Sequence, residues 1–362
     1  MKFSLKNSKI CFFSITLMLG LIFTGLPLND TVWAADYDSG VSYEEFMNRQ
    51  VVAGGQSVGI LLQTTGASVV GYAPVETSDG GSVSPGKDSG VKVGDFITAV
   101  NDKAVNTDEE IAEIIDECGK TQQDVTLSVD RDGKKMKLAA DPVYSEDTET
   151  YRIGLYIRDN TAGVGTMTFY EPESRIFGAL GHKIEYLADR TVDTEDIGNL
   201  LSADIQEVKK GAVGEPGEKI GFFAENGING TINLNSHLGI FGTAQSGISN
   251  SLYPNKMSIA KVDEVKKGPA KILTVLNGNK IDEYDIDIEK IMPLAEESGQ
   301  GMIIKITDKE LLQKTGGIIQ GMSGSPIIQN GKLAGAVTHV FVNDPTSGYA
   351  CYAEWMIKEI TE

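Results

Sequence analysis

The chain has 362 residues, and its 51 aspartates and glutamates against 32 lysines and arginines give a formal net charge of −19. So acidic a chain lacks the basic surface that nucleic acids and anionic membranes require, which excludes nucleic acid and favours proteins as substrates or partners. Only three histidines occur, and neither a Cys-x-x-Cys nor a His-Glu-x-x-His spacing is present, so we expect no metal and no cofactor.

The first 35 residues have the pattern of a signal peptide or an N-terminal membrane anchor. Three lysines precede an uncharged run over 10–28 that is rich in Phe, Leu and Ile. The run is just long enough to span a bilayer, and the small residues Ala34 and Ala35 offer a cleavage site, so both alternatives stay open. In either case we expect the rest of the chain to be exported, with 36–51 as a linker.

Residues 52–140 are predicted to form a PDZ domain, an α+β module that binds peptides. A glycine-bearing turn leads into a strand there, and its backbone is expected to bind a peptide through Ser57, Val58, Gly59 and Ile60. The later segment Gly-Val-Lys-Val-Gly-Asp-Phe-Ile resembles the strand connection of PDZ domains in bacterial proteases. A small domain that acts only as a spacer is the alternative.

A helix is predicted inside this domain. Thr107 and Glu110 have the spacing of a capping box, in which the two residues satisfy each other's backbone N–H groups. Four apolar residues then recur at helical spacing on one face, and Gly119 is expected to end the helix. The apolar residues are Ile111, Ile114, Ile115 and Cys118.

A domain boundary is predicted at 140–150, where proline and charges interrupt the pattern. The rest of the chain, 141–362, contains repeated short apolar runs, and the whole sequence has 41 glycines. These features favour a mainly β architecture for this second domain.

A serine between glycines marks the chemistry of this domain. Gly321, Met322, Ser323 and Gly324 are followed by Ser-Pro, and this pattern resembles the nucleophile turn of chymotrypsin-like peptidases. Glycines allow the tight turn that exposes a serine hydroxyl, and the backbone N–H groups of Gly321, Met322 and Ser323 could stabilise an oxyanion. A structural turn is the alternative.

A general base must then be found among His182, His237 and His339. His182 follows an apolar run with small residues, and it precedes the serine as the base does in chymotrypsin-like double β-barrels. His237 has a loop-like context, and His339 comes after the serine, which is the wrong order for that template. His182 is therefore the predicted base, with a structural histidine as the alternative.

The acid that would orient this imidazole is less defined by the sequence. Asp308 follows an apolar strand and comes shortly before the serine, so it is the predicted acid. It is also a plausible helix N-cap, and four other aspartates follow His182 more closely. Those four are Asp189, Asp193, Asp196 and Asp204.

The sequence around these residues resembles the stage IV sporulation protein B family of serine peptidases. The likeness covers nearly the whole chain after the N-terminal segment, and it is most specific over 315–349, which includes Thr338-His339-Val340-Phe341. It implies a base at His182, an acid at Asp308 and a nucleophile at Ser323. The fold it implies is a PDZ domain followed by a chymotrypsin-like double β-barrel.

The resemblance also implies a biological role. The family cleaves itself and cuts a membrane-associated inhibitory protein, stage IV sporulation protein FA, in the space between the forespore and mother-cell membranes. That cut allows an intramembrane protease to mature a sigma factor. Two alternatives remain open: an exported PDZ scaffold with an inactive peptidase fold, and a quality-control protease of the HtrA type, in which the PDZ domain normally follows the catalytic domain.

Overall fold

The structure is a computed structural model that describes residues 40–77, 80–184 and 197–361. The predicted signal peptide or anchor at 1–35 therefore lies outside the described residues, as do Asp189, Asp193 and Asp196. Within the described ranges, no helix combines the length and the hydropathy needed to cross a bilayer.

The described residues form mostly β-structure, as the sequence predicts. The N-terminal elements are α1 (Tyr43–Asn48), β1 (Gln50–Ala53) and β2 (Ser57–Tyr72). The next group is β3 (Val75–Glu76), β4 (Ser82–Val83), α2 (Pro85–Asp88), β5 (Phe96–Val100), β6 (Lys103–Ala104), α3 (Asp108–Thr121), β7 (Val125–Arg131), β8 (Lys134–Ala140), β9 (Val143–Ser145) and β10 (Thr150–Arg152). Then follow β11 (Leu155–Tyr170), β12 (Ile176–Ala179), β13 (Gly198–Lys209), β14 (Glu218–Ser236), β15 (Gly239–Ala244) and β16 (Met257–Ser258). The C-terminal elements are β17 (Gly268–Val275), β18 (Ile281–Ile291), β19 (Met302–Ile306), α4 (Lys309–Thr315), β20 (Pro326–Gln329), β21 (Lys332–Phe341), β22 (Asp344–Tyr352) and α5 (Ala353–Lys358), with 3₁₀ turns at Val262–Glu264 and Glu296–Ser298.

Six strands form a first barrel, because their antiparallel pairings return to the starting strand. β2 pairs with β11, β11 with β12, β12 with β15, β15 with β14, β14 with β13, and β13 again with β2. Only the first part of β2 and the second part of β11 belong to this ring, with Ser57 opposite Thr166. Its interior is a cluster of buried apolar side chains that includes Ile60, Leu200 and Ile240.

The PDZ-like module is inserted between β2 and β11. Both strands are 16 residues long and continue beyond the barrel, where residues 68–72 of β2 pair with residues 155–158 of β11. β5, β7 and β8 extend the sheet from there, and α3 covers it. The module has a core of its own, which includes Val69, Ile97 and Leu127.

A second closed barrel follows, with strand order β17-β18-β19-β22-β21-β20. Buried and exposed side chains alternate along its strands, as expected for a sheet with one face toward solvent. Along β18, Tyr284, Ile286 and Ile288 are buried, whereas Glu283 and Asp285 are exposed. The predicted double β-barrel is thus present, and the two barrels share a large apolar core.

The predicted helix in the inserted module is confirmed, except at its end. Thr107 and Glu110 form the capping box, and α3 runs past Gly119 to Thr121, where Gln122 adopts the left-handed conformation. Gly119 has a packing role instead. A β-carbon there would lie 2.1 Å from the ring of Tyr151, so the glycine lets that ring lie against the helix.

The strand pairing differs from the predicted domain limits of 52–140 and 141–362. Residues 52–62 pair with peptidase strands, although they were assigned to the PDZ domain. Conversely, Ile153 and Leu155 pack in the core of the inserted module. Each long strand has apolar runs in both modules, and only a short polar stretch, at 63–66 in β2 and at 158–160 in β11, separates them.

Candidate active site

The predicted nucleophile lies in a tight turn between α4 and β20. Gly321 and Gly324 have φ values of +90° and +89°, which glycine adopts without strain. Position 324 also has no room for a side chain, because a β-carbon on Gly324 would lie 1.9 Å from the carbonyl oxygen of Thr166. The glycines therefore let the turn rest directly on the first barrel.

Ser323 is held between the two barrels. Its carbonyl accepts a hydrogen bond of 2.9 Å from the Thr166 N–H on β11. Its hydroxyl donates a bond of 2.8 Å to the carbonyl of Thr338 on β21. The side chain is partly accessible, as a nucleophile must be.

His182 comes from the first barrel, just after β12. The preceding Gly181 has a φ of +70° and lies against β21, since a β-carbon there would be 3.0 Å from Thr338 Cγ2. His182 Nδ1 lies 2.8 Å from the carbonyl oxygen of Lys183. A carbonyl can only accept, so Nδ1 is the protonated nitrogen when the ring is neutral, and Nε2 is then the basic nitrogen of the ring.

The two predicted catalytic residues thus converge on consecutive residues of one strand. Ser323 bonds to Thr338, and the His182 ring lies beside the His339 ring with 4.7 Å between centroids and 39° between planes. His339 was set aside as a base, yet the structure places it at the site. Its position directly after Thr338 in an apolar strand was the available signal.

His339 is an exposed residue of β21. Desolvation by the surrounding protein and the neighbouring His182 nevertheless lower the pKa of its imidazole to about 4, which favours a neutral ring near pH 7. A neutral neighbour suits a base, because it does not repel the positive charge that His182 gains when it takes a proton.

Two backbone donors of the turn are available for an oxyanion. Among the described residues, the N–H groups of Gly321 and Ser323 have no hydrogen-bond acceptor, whereas the Met322 N–H donates to the Ile319 carbonyl at 3.1 Å. The three-residue oxyanion hole stays a prediction, and in this geometry Gly321 and Ser323 are the members with free protons.

Asp308 lies at the start of α4. One carboxylate oxygen accepts a bond of 2.9 Å from the Leu311 N–H, which makes Asp308 the N-cap of the helix, and the other accepts from the Asp285 N–H at 3.4 Å. The capping alternative is therefore present in the structure, and a role of Asp308 toward His182 stays a prediction. Asp204, a further alternative, accepts a bond from the amide of Gln206 on β13.

The predicted peptide-binding residues of the PDZ domain are not at an edge. Residues 57–60 pair with β11 on one side, and residues 58–60 pair with β13 on the other. A peptide adds to a sheet only where a strand has a free edge, so the assignment of Ser57, Val58, Gly59 and Ile60 to a peptide groove is wrong. Gly59 is instead in close packing, with the Phe223 ring 2.3 Å from where its β-carbon would lie.

Another strand of the inserted module does have an open edge. Residues 155–158 of β11 pair with β2 on one side, and no described residue pairs with their other side. Leu155 and Ile157, together with Ile114 of α3, are only partly buried against the module's core. Gly154, with a φ of +75°, leads into this strand.

Two family models match different parts of the chain. The family model described as SpoIVB peptidase S55 matches residues 149–357, and the PDZ domain model matches residues 78–141. No curated protein matches the chain significantly. One similar solved structure is the inactive form of Rv3671c protease, at 14% identity and a TM-score of 0.32 over 54% of this chain and 82% of that one. A serine-to-alanine mutant of Rv3671c from M. tuberculosis, also inactive, has 12% identity and a TM-score of 0.30 over 55% of this chain and 80% of its own. The peptidase model matches more than half of the present chain, and the chain therefore belongs to the SpoIVB peptidase S55 family of serine peptidases. It also contains a PDZ domain.

Proposed function

We propose that this chain is an exported sporulation endopeptidase in which Ser323 is the nucleophile and His182 is the general base. The observation that supports this most directly is that Ser323 bonds to Thr338 while the His182 ring lies beside His339, the next residue of the same strand. The N–H groups of Gly321 and Ser323 in the same turn have no acceptor among the described residues. Each residue comes from a different barrel, as in the peptidases whose order of base and nucleophile the sequence follows.

The reaction is acyl transfer. Ser323 Oγ turns from the Thr338 carbonyl toward His182, passes its proton to Nε2 and forms a bond to the substrate's carbonyl carbon. The negative charge on the carbonyl oxygen is stabilised by the N–H groups of Gly321 and Ser323. His182 then gives its proton to the leaving amine as the C–N bond breaks, and water hydrolyses the acyl-enzyme.

The backbone of Lys183 orients the imidazole in this arrangement. Because its carbonyl accepts from Nδ1, the neutral ring carries its proton there, and Nε2 is the nitrogen that takes the serine proton. Asp308 is proposed as the family's acid on the resemblance alone, and its contacts at α4 make it the least supported member of the triad.

The assignment of Ser323 is tested with the full-length chain and Ser323→Ala, using self-cleavage and covalent labelling by a fluorophosphonate. We expect the wild type to be labelled and to cleave itself, and S323A to do neither. Ser298→Ala, which removes an exposed serine hydroxyl far along the chain from the turn, is the control and should behave as the wild type. Equal labelling of S323A and wild type would refute the proposal.

We further propose that the substrates are the chain itself and a membrane-associated inhibitor, stage IV sporulation protein FA, cut in the space between the two membranes of the developing spore. Family membership supports a sporulation substrate, and the PDZ domain supports capture of a protein chain. The open edge at 155–158 is where a peptide could add as a further strand.

Purified stage IV sporulation protein FA provides the test. The wild type should cleave it and S323A should not. Ile157→Glu places a charge beside the open edge, so it should slow this cleavage while fluorophosphonate labelling of Ser323 stays at the wild-type rate. Intact inhibitor after incubation with an enzyme that labels normally would exclude it as a substrate.

A further inference from the structure

A lysine is buried directly beneath the nucleophile turn. Lys219, near the start of β14, is only 5% exposed. Its ammonium contacts three hydroxyl groups: Thr274 Oγ1 at 2.7 Å, Thr166 Oγ1 at 3.3 Å and Ser57 Oγ at 3.4 Å. Among the described residues, no carboxylate lies within ion-pair distance of its nitrogen.

Such a group is costly to the fold. Burial disfavours the charged form and lowers the pKa of Lys219 to about 7. Three hydroxyl acceptors match the three protons of an ammonium, but none of them supplies a compensating charge. An apolar side chain of similar size would fill this space without that penalty, so a role beyond packing is indicated.

The side chain is connected to the turn through Thr166. The Thr166 hydroxyl accepts from Lys219 and donates a bond of 2.7 Å to the carbonyl of Gly321. The Thr166 N–H holds the carbonyl of Ser323. The methylene chain of Lys219 also lies under Gly321, where a β-carbon would be 3.0 Å from its Cδ.

The backbone of Lys219 acts on the same turn. Its N–H donates a bond of 3.0 Å to the carbonyl of Gln320. In a planar trans peptide the carbonyl and the following N–H point in opposite directions, so this bond aims the Gly321 N–H away from Lys219. The orientation of the Gly321 N–H, one of the two oxyanion donors, is therefore set by the backbone of Lys219, while the side chain anchors the rest of the turn.

The geometry points to Lys219 as a positioning residue for the oxyanion site. Its backbone holds the peptide between Gln320 and Gly321 so that the Gly321 N–H points away from Lys219. Its buried amine, acting through Thr166, anchors the turn by the carbonyl of Gly321. The amine also joins the barrels, because Ser57 and Thr166 belong to the first and Thr274 to the second. It thereby fixes the barrel that provides His182 relative to the barrel that provides Ser323. The inference rests on the proposed role of Ser323 as nucleophile.

The test compares Lys219→Met, Thr166→Val and Thr166→Ser in the full-length chain. Labelling by a fluorophosphonate is resolved into kinact, which depends on the oxyanion site, and KI, which reports binding of the probe. We expect kinact of K219M and T166V to fall by about 10²-fold, the effect typical of losing one oxyanion donor, with KI within about 2-fold of wild type. T166S keeps the hydroxyl and should retain most of the wild-type kinact, and the K219M/T166V double variant should be no slower than the slower single variant, because both changes break one connection.

Controls separate the possible failures. Lys209→Met removes an exposed lysine of the neighbouring strand and should label at the wild-type rate. A wild-type kinact in folded K219M would overturn the inference, as would equal kinact values for T166S and T166V. If K219M does not fold, the T166S and T166V pair decides, because T166S keeps the hydroxyl and T166V replaces it by a methyl group. Labelling of S323A would instead refute the nucleophile assignment on which the inference rests.

Discussion

Two buried charged groups, one in each module, are compensated in opposite ways. In the inserted PDZ module, Asp95 is 1% exposed, and both of its oxygens are bonded to the Arg131 guanidinium at 2.6 and 2.7 Å, with a further bond from the Lys92 N–H. In the peptidase, Lys219 is buried with hydroxyl partners alone. One charge is neutralised in place, and the other is not.

The pKa directions express this difference. Burial alone would raise the pKa of Asp95, but the bonds from Arg131 and from the Lys92 N–H outweigh it and leave the pKa below its ordinary value. For Lys219 only desolvation acts, so its pKa falls toward neutrality. A paired buried charge secures one arrangement of a module, whereas an unpaired one is kept where a site requires it.

The largest expected effect comes from breaking the pair in the inserted module. Asp95→Ala leaves the Arg131 guanidinium without its partner, and we expect the module to lose about 3 kcal/mol of stability, at the lower end for such pairs because Arg131 is partly exposed. Hydrogen exchange of α3 and β7 would measure this loss. Asp88→Ala, at an exposed aspartate of the same module, should change little.

Labelling of Ser323 by a fluorophosphonate should be unchanged in D95A. The core of the inserted module is separate from the barrel cores, so its loosening should not reach the nucleophile turn. A parallel loss of exchange protection in both barrels would show instead that the modules unfold as one unit.

The second prediction concerns the pH dependence of Lys219. Its pKa of about 7 in the folded state is below the ordinary value near 10.5, so between these values the unfolded state binds more protons and stability rises with pH. We expect the unfolding free energy of wild type relative to K219M to increase by on the order of 2 kcal/mol from pH 7 to pH 9. Urea unfolding at the two pH values measures it, with K209M as the matched control. A constant difference between wild type and K219M would contradict the buried, uncompensated amine.

The third prediction follows from the place of Gly59 in the first barrel. Gly59→Val sets a side chain against the Phe223 ring, and overpacking of this kind costs about 1 to 3 kcal/mol. We expect thermal unfolding at lower temperature and slower labelling of Ser323. Gly163→Ala is the matched control, because a β-carbon at Gly163 meets nothing within 4 Å. If G59V lost peptide binding but kept normal labelling of Ser323, the assignment of this strand to the peptide groove of the PDZ domain would be supported after all.

Sequence patterns predicted what depends on local chemistry. The turn at Ser323 needs glycines on both sides of the serine, and α3 needs its capping box and apolar face, so each is recorded in a few adjacent residues. His182 could be selected as the candidate base because the chain has only three histidines.

Lys219 could not be predicted, because the pattern of its strand is inverted. Ile220 and Phe222 are 40% and 57% exposed, while Lys219 between Glu218 and Ile220 points inward. The alternation of apolar and polar residues predicts the opposite orientation. Which face of this strand is covered depends on the second barrel and on the nucleophile turn, which are distant in sequence.

The insertion of the PDZ module escaped prediction for a similar reason, since β2 and β11 continue through both modules.

The smallest expected effect on stability concerns Asp308, and the same substitutions separate its two possible roles. As the N-cap of α4, Asp308 should lose about 1 kcal/mol of stability on substitution by alanine and almost none on substitution by asparagine, which caps helices equally well. Thermal unfolding of D308A and D308N measures this difference, and equal stability of both variants with the wild type would contradict the cap.

The same two proteins decide the predicted role of the Asp308 carboxylate toward His182. If that role exists, D308N keeps its stability but loses turnover by about 10⁴-fold, because the imidazole tautomer is no longer selected by a carboxylate. A D308N enzyme with wild-type labelling would leave the Lys183 carbonyl as the group that orients His182.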